Sequence, residues 1–107
     1  MSDLDFTICC TVIFFSKKRR TPPNLNTGKY CPHLVIKGSE QLLGVNFIDG
    51  EEVIFHKPIR ANALPANEDV DYSGLQEGTE FLIIEGGNIV GEGIVKEIFQ
   101  HKPHGRK

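Results

Sequence analysis

The chain has little net charge of either sign. Its 12 lysines and arginines and 14 aspartates and glutamates leave −2 over 107 residues, so the whole protein lacks the pull toward nucleic acid of a strongly basic domain. Any contact with RNA has to come from a local patch. Cysteine is scarce and odd in number: Cys9, Cys10 and Cys31 do not make a disulfide framework, and the adjacent Cys9 and Cys10 suit a buried strand in a reducing, cytoplasmic compartment. Long hydrophobic runs are missing too. The stretch from Phe6 to Phe15 is about half a membrane span, and Asp3 and Asp5 stand where a secretory signal carries positive charge. Neither export nor membrane anchoring is expected. No period repeats, no tract is of low complexity, and no long amphipathic helical stripe is present. The length predicts one domain with a single core and no room for a whole nucleotide-hydrolysing domain.

Short runs of β-branched and aromatic residues fill the chain instead. Phe6 to Phe15 reads as a mostly buried first strand. Ser16 to Gly28 then joins Lys17, Lys18, Arg19 and Arg20 to Pro22, Pro23 and turn formers, the composition of a solvated loop. Tyr30 to Lys37 and Leu42 to Ile48 read as extended segments, Asp49-Gly50 as a hairpin turn, and Glu51 to Phe55 as a short strand ending at Lys57-Pro58. Ala61 to Gly78 is expected to be a long acidic loop carrying Glu68, Asp69 and Asp71. Phe81 to Ile84 and Ile89 to Phe99 complete a closing hairpin. Its Gly86-Gly87 turn can adopt positive φ, and Gly91 and Gly93 leave room for another backbone. The phenylalanines are core candidates by default, and residues 100–107 form a basic tail. The pattern is all-β, an antiparallel barrel or sandwich.

Motifs that carry chemistry are thin. Cys31-Pro32-His33 places a thiol and an imidazole on one face of a strand, but no orienting third group or oxyanion loop accompanies them. Cys9, Cys10, His101 and His104 lack the Cys-x-x-Cys spacing of a structural zinc site. Gly86 to Gly91 has Glu92 where a phosphate-binding loop needs lysine, and Gly91-Glu92-Gly93 lacks the third glycine of a dinucleotide fingerprint. No acid–base pair of carboxylates is identifiable. The residues therefore predict no catalytic centre, no metal, no cofactor and no bound nucleotide.

Five short motifs occur in order: Lys17-Lys18-Arg19-Arg20-Thr21-Pro22, Gly28-Lys29-Tyr30-Cys31-Pro32-His33, His56-Lys57-Pro58-Ile59, Leu75-Gln76-Glu77-Gly78-Thr79-Glu80-Phe81, and Glu85-Gly86-Gly87 leading to Gly91-Glu92-Gly93. Over roughly residues 6 to 99 this order resembles the carboxyl-terminal β-barrel of elongation factor Tu. The resemblance implies a single antiparallel six-stranded barrel over residues 1–99 that works as a binding module. It also implies contact with the tRNA backbone through Arg19, Arg20, His33, Lys57, Glu85 and Gly86. Cys31 and His33 stand where that family usually has arginine and glutamine. The acidic segment between Lys57 and Leu75 is about a dozen residues longer here, and beside an RNA surface it would repel phosphate.

Three classes of function follow. The first is an RNA-binding module, marked by affinity that falls with salt. The second is an adaptor, decoy or immunity-type protein that meets a protein partner of the translation machinery, with Glu68, Asp69 and Asp71 attracting a basic surface. The third, an enzyme using Cys31 and His33, ranks below both.

Overall fold

In β1 (Phe6–Phe14) the side chains of Ile8, Cys10, Val12 and Phe14 turn inward, and those of Cys9, Thr11 and Ile13 turn outward. This is the two-residue period of a half-buried strand. The barrel is completed by β2 (His33–Ile36), β3 (Leu43–Gly50), β4 (Ile59–Pro65), β5 (Glu80–Glu85) and β6 (Asn88–Gln100), with the alternation repeated most plainly in β4 and β5. These assignments come from a computed structural model that describes residues 5–101. Of the expected basic tail, residues 102–107, including His104 of the zinc reading, lie outside the described residues, as does Asp3.

The strands close an antiparallel barrel in the order β1-β4-β3-β2-β5-β6, so β6 returns to β1 and no sheet edge is left over. Among the described residues there is no helix long and apolar enough to cross a membrane. Phe14, Phe47 and Phe81 fill the interior with Ile8, Leu34, Val45, Ile83 and Val95. Burying each such side chain contributes about 1.5–3 kcal/mol. Loop residues plug both ends: Leu25 and Val53 at one, Tyr72 and Leu75 at the other.

Closure depends on glycine. Val12 pairs with Gly93 and Phe14 with Gly91 across the β1–β6 ladder. A Cβ on Gly91 would stand 2.6 Å from the Ile13 carbonyl oxygen. One on Gly93 would stand 2.7 Å from that of Thr11 and 2.6 Å from the Phe81 ring. The expected glycine turn is also present, with φ of 53° at Gly86 and 85° at Gly87.

Two sequence expectations fail on the same segment. Asp49-Gly50 is the end of β3 and not a turn, and Glu51 to Phe55 forms no strand. The missing strand is β4, whose Ile59–Pro65 overlaps the region expected to be an acidic loop. Its inward residues after Ile59 are Ala61 and Ala63, too small to give a hydrophobic signal. Across the ladder from Ala61, a Cβ on Gly50 would stand 2.7 Å from Leu25 and 3.1 Å from the Ala61 methyl, so Gly50 also leaves no side-chain signal. Pro58 precedes the ladder and Pro65 ends it, so neither breaks it. Phe99, expected in the core, is 57% exposed.

The glycine contacts generate a stability prediction. Gly93→Ala and Gly91→Ala should each lower unfolding free energy by about 1–3 kcal/mol, the cost of overpacking. The measurement is the urea midpoint, and wild-type midpoints for both variants would contradict this account of closure.

Candidate functional site

Because every strand pair is antiparallel, the connections divide between two ends of the barrel. One end carries the β1–β2 connection (15–32), the β3–β4 connection (51–58) and the Gly86-Gly87 turn. The other carries the β2–β3 connection (37–42) and the β4–β5 connection (66–79). It also holds Asp5 and His101, joined by the His101 N–H donating to the Asp5 carbonyl at 2.9 Å.

Charge divides in the same way. The first end holds Lys17, Lys18, Arg19, Arg20, Lys29 and Lys57 against Glu51 and Glu52, a net of +4. The second holds Glu40, Glu68, Asp69, Asp71 and Glu77 against Lys37, a net of −4. Nine residues of β1, rising about 3.3 Å each and tilted about 40°, separate the ends by about 20 Å, over twice the screening length of about 8 Å at physiological salt. The acidic segment therefore does not lie beside the basic patch, contrary to the sequence expectation.

The basic end is assembled by the turn before β4. The His56 N–H donates to the Phe14 carbonyl at 2.7 Å. Its ring Nε2 is hydrogen-bonded to Ser16 Oγ at 3.0 Å and lies over Phe15, with ring centroids 6.1 Å apart and planes 25° from parallel. These contacts set Lys57 beside the loop of Lys17, Lys18 and Arg20. All four cations are exposed, and among the described residues none is in an ion pair.

Arg19 and Glu85 are spent on one another. The Arg19 guanidinium pairs with the Glu85 carboxylate, and the Tyr30 hydroxyl donates to the same oxygen. Arg19 also donates from Nε to the Thr21 carbonyl at 2.9 Å, and its guanidinium carbon lies 5.5 Å from the centre of the Tyr30 ring. Tyr30 in turn packs on Phe14 and Phe47, at centroid distances of 5.9 and 5.7 Å. This cluster pins the basic loop to the closing hairpin. It sets the shape of the basic end and leaves Arg20 and Lys57 exposed. Tyr30, the residue at its centre, was not singled out from sequence, although it lies inside the second of the five motifs.

His33 falls elsewhere. It pairs with Gly44 on the barrel wall, where a Cβ on Gly44 would meet the Asn67 amide at 3.4 Å and the His33 ring at 3.7 Å. On its other side His33 pairs with Ile84, which precedes Glu85 and the Gly86 turn, so the residue lies on the wall between the 66–79 connection and the closing hairpin. Gly86 stays at the basic end, exposed in its turn. Glu68, Asp69 and Asp71 are exposed at the other end, where the Ser73 N–H, 2.9 Å from Asp71 Oδ1, holds that carboxyl below its usual range.

Cys9 and Cys10 lie on β1, with Cys10 buried and Cys9 half-buried. Burial pushes the Cys10 thiol up to about 12, and burial followed by the charges of Glu97 and Asp49 raises that of Cys9. A thiol held protonated is a poor nucleophile. Cys31 and His33 are both exposed, and among the described residues no hydrogen bond joins them. Nor do three His, Cys, Asp or Glu side chains converge there as metal ligands. No protein-family profile matches the chain, and no curated protein does.

Burial, then the hydrogen bond to Glu85 and its charge, raise the Tyr30 phenol well above its ordinary value of 10.0, against a lowering by Arg19. The folded chain thus keeps a proton that the unfolded chain loses. The associated stability is complete below about pH 10 and falls as pH rises from there. Urea unfolding between about pH 9 and about pH 11 should show a steeper loss for the wild type than for Tyr30→Phe, and parallel profiles would refute the assignment.

Proposed function

We propose that this barrel is a non-catalytic, translation-related binding module that holds the backbone of structured RNA, such as the acceptor and T arm of tRNA. The contacts are Lys17, Lys18, Arg20 and Lys57, with the N–H groups of the Gly86 turn alongside. The observation that carries the reading is the tie through Ser16 and His56 that brings Lys57 to the loop of Lys17, Lys18 and Arg20, on a barrel end whose connections carry a net charge of +4. Clustered lysine and arginine neutralise phosphates and release counterions, and a glycine turn lets the backbone approach a phosphate or ribose oxygen. Most of the loop carboxylates, Glu40, Glu68, Asp69, Asp71 and Glu77, lie at the far end. The order of the five motifs, resembling the tRNA-binding barrel of elongation factor Tu, supports the choice of ligand.

A second reading rests on the opposite end. Glu68, Asp69 and Asp71 are all exposed there, and a surface of net charge −4 suits a basic protein partner, with electrostatics raising association rate and specificity. In that reading the chain is an adaptor or decoy and the basic end is solvated.

Fluorescence anisotropy with tRNA at two salt concentrations separates the two. The RNA reading expects binding that weakens as salt rises. It also expects Arg20→Ala and Lys57→Ala each to weaken binding and reduce the salt slope by about 0.7–0.9, while Lys96→Ala on the barrel wall leaves binding unchanged. No binding at low salt, or equal losses for Lys96→Ala and Lys57→Ala, would overturn it.

A further inference from the structure

His56 is the one described residue other than glycine with a positive φ, at 69°. It occupies the third position of a turn closed by the Lys57 N–H on the Ile54 carbonyl at 3.1 Å. Glycine or asparagine is usual at that position, because a side chain there crowds its own backbone. Strain of this kind persists only where surrounding contacts enforce it, and it concentrates at sites of function. Here the contacts fix the imidazole in orientation: Ser16 holds Nε2, Phe15 supports the ring, and Phe55 leans on it with planes 50° apart. Phe15 and Phe55 are half-buried, whereas His56 is exposed. The chain therefore maintains a strained, oriented aromatic ring at the surface, next in sequence to Lys57 and bonded to the residue before Lys17 and Lys18.

An oriented ring among cations is the arrangement by which proteins hold unpaired bases: the cations follow the backbone and the ring receives the π-face. A base inside an A-form duplex is already stacked on its neighbours and offers no face to such a ring. We infer that the Phe15–His56 pair is a stacking platform for an unpaired nucleobase, so that the basic end takes RNA with a single-stranded end or loop in preference to a blunt duplex. This rests on the RNA-binding reading above and adds to it a substrate feature and a residue. The exposed Phe99 has no such role, since it lies at the acidic end, 5.5 Å from the His101 ring.

The test compares two RNA hairpins of identical stem, one blunt and one with a 3′ overhang of about four nucleotides carrying 2-aminopurine, whose fluorescence falls on stacking. The wild type should bind the overhang hairpin roughly tenfold more tightly than the blunt one, the scale of one base–aromatic contact, and should quench the probe. His56→Asn keeps the turn, because asparagine tolerates this conformation. It should bring the overhang and blunt hairpins to equal affinity and abolish the quenching, whereas Lys57→Ala should weaken both hairpins and keep the preference. Equal wild-type affinities without quenching, a result that needs no variant, would overturn the stacking platform and leave the RNA reading standing. So would an unchanged preference in a folded His56→Asn protein. Binding to neither hairpin nor to tRNA at low salt would overturn both.

Discussion

The approach of β6 to β1 over Gly91 and Gly93 is the constraint on which the rest of this structure depends. The strand carbonyls of Thr11 and Ile13 occupy the space that side chains at these positions would need. Without that contact the sheet would stay open, with β1–β4 at one end of the ladder and β5–β6 at the other, and both outer strands would expose unpaired backbone groups. With it the sheet closes, and the antiparallel connections are sorted onto two opposite faces. The separation of basic from acidic loops is thus a consequence of topology, achieved with no long-range contact between the charges themselves.

Inside the basic end, the Arg19–Tyr30–Glu85 cluster converts a solvated loop into a positioned one. An ion pair at the surface contributes little, because water screens it and two long side chains lose freedom. This pair is partly shielded, shares its carboxylate oxygen with a phenol, and lies against a ring that itself packs on Phe14 and Phe47. The loop is therefore anchored to the barrel at Arg19 as well as by the buried Leu25. Lys17, Lys18 and Arg20 are carried along by the chain around that anchor, which is how a segment so rich in proline and cations holds a defined surface.

Much of the fold is legible from sequence wherever side-chain size reports on burial. β1, β5 and β6 carry β-branched and aromatic residues at the required period, and the glycines of β6 mark the closure. β4 was not legible, since Ala61 and Ala63 face a crowded interior and leave a pattern that reads as loop. The candidate site was legible as composition but not as geometry. Four consecutive cations indicate a basic patch, yet nothing in their order says that Arg19 turns inward to Glu85 while Arg20 stays outside. The family resemblance groups His33 with Lys57, and strand register sets it between Gly44 and Ile84 on the barrel wall. His56 carried no signal of its own, because conformational strain belongs to the backbone and is not written in residue type.

A net charge of −2 describes this protein poorly. Two ends of opposite sign about 20 Å apart give the barrel a dipole along its axis, and a dipole orients what approaches it. A polyanion is drawn to one end and repelled from the other over distances comparable to the screening length of about 8 Å. In the proposed RNA complex the basic loops lead and the acidic end faces away. Such orientation requires the two charge sets to stay apart, so the rigidity of the closed barrel is itself part of the binding surface. A flexible chain of the same composition would let the ends collapse on each other and neutralise, and neither surface would exist.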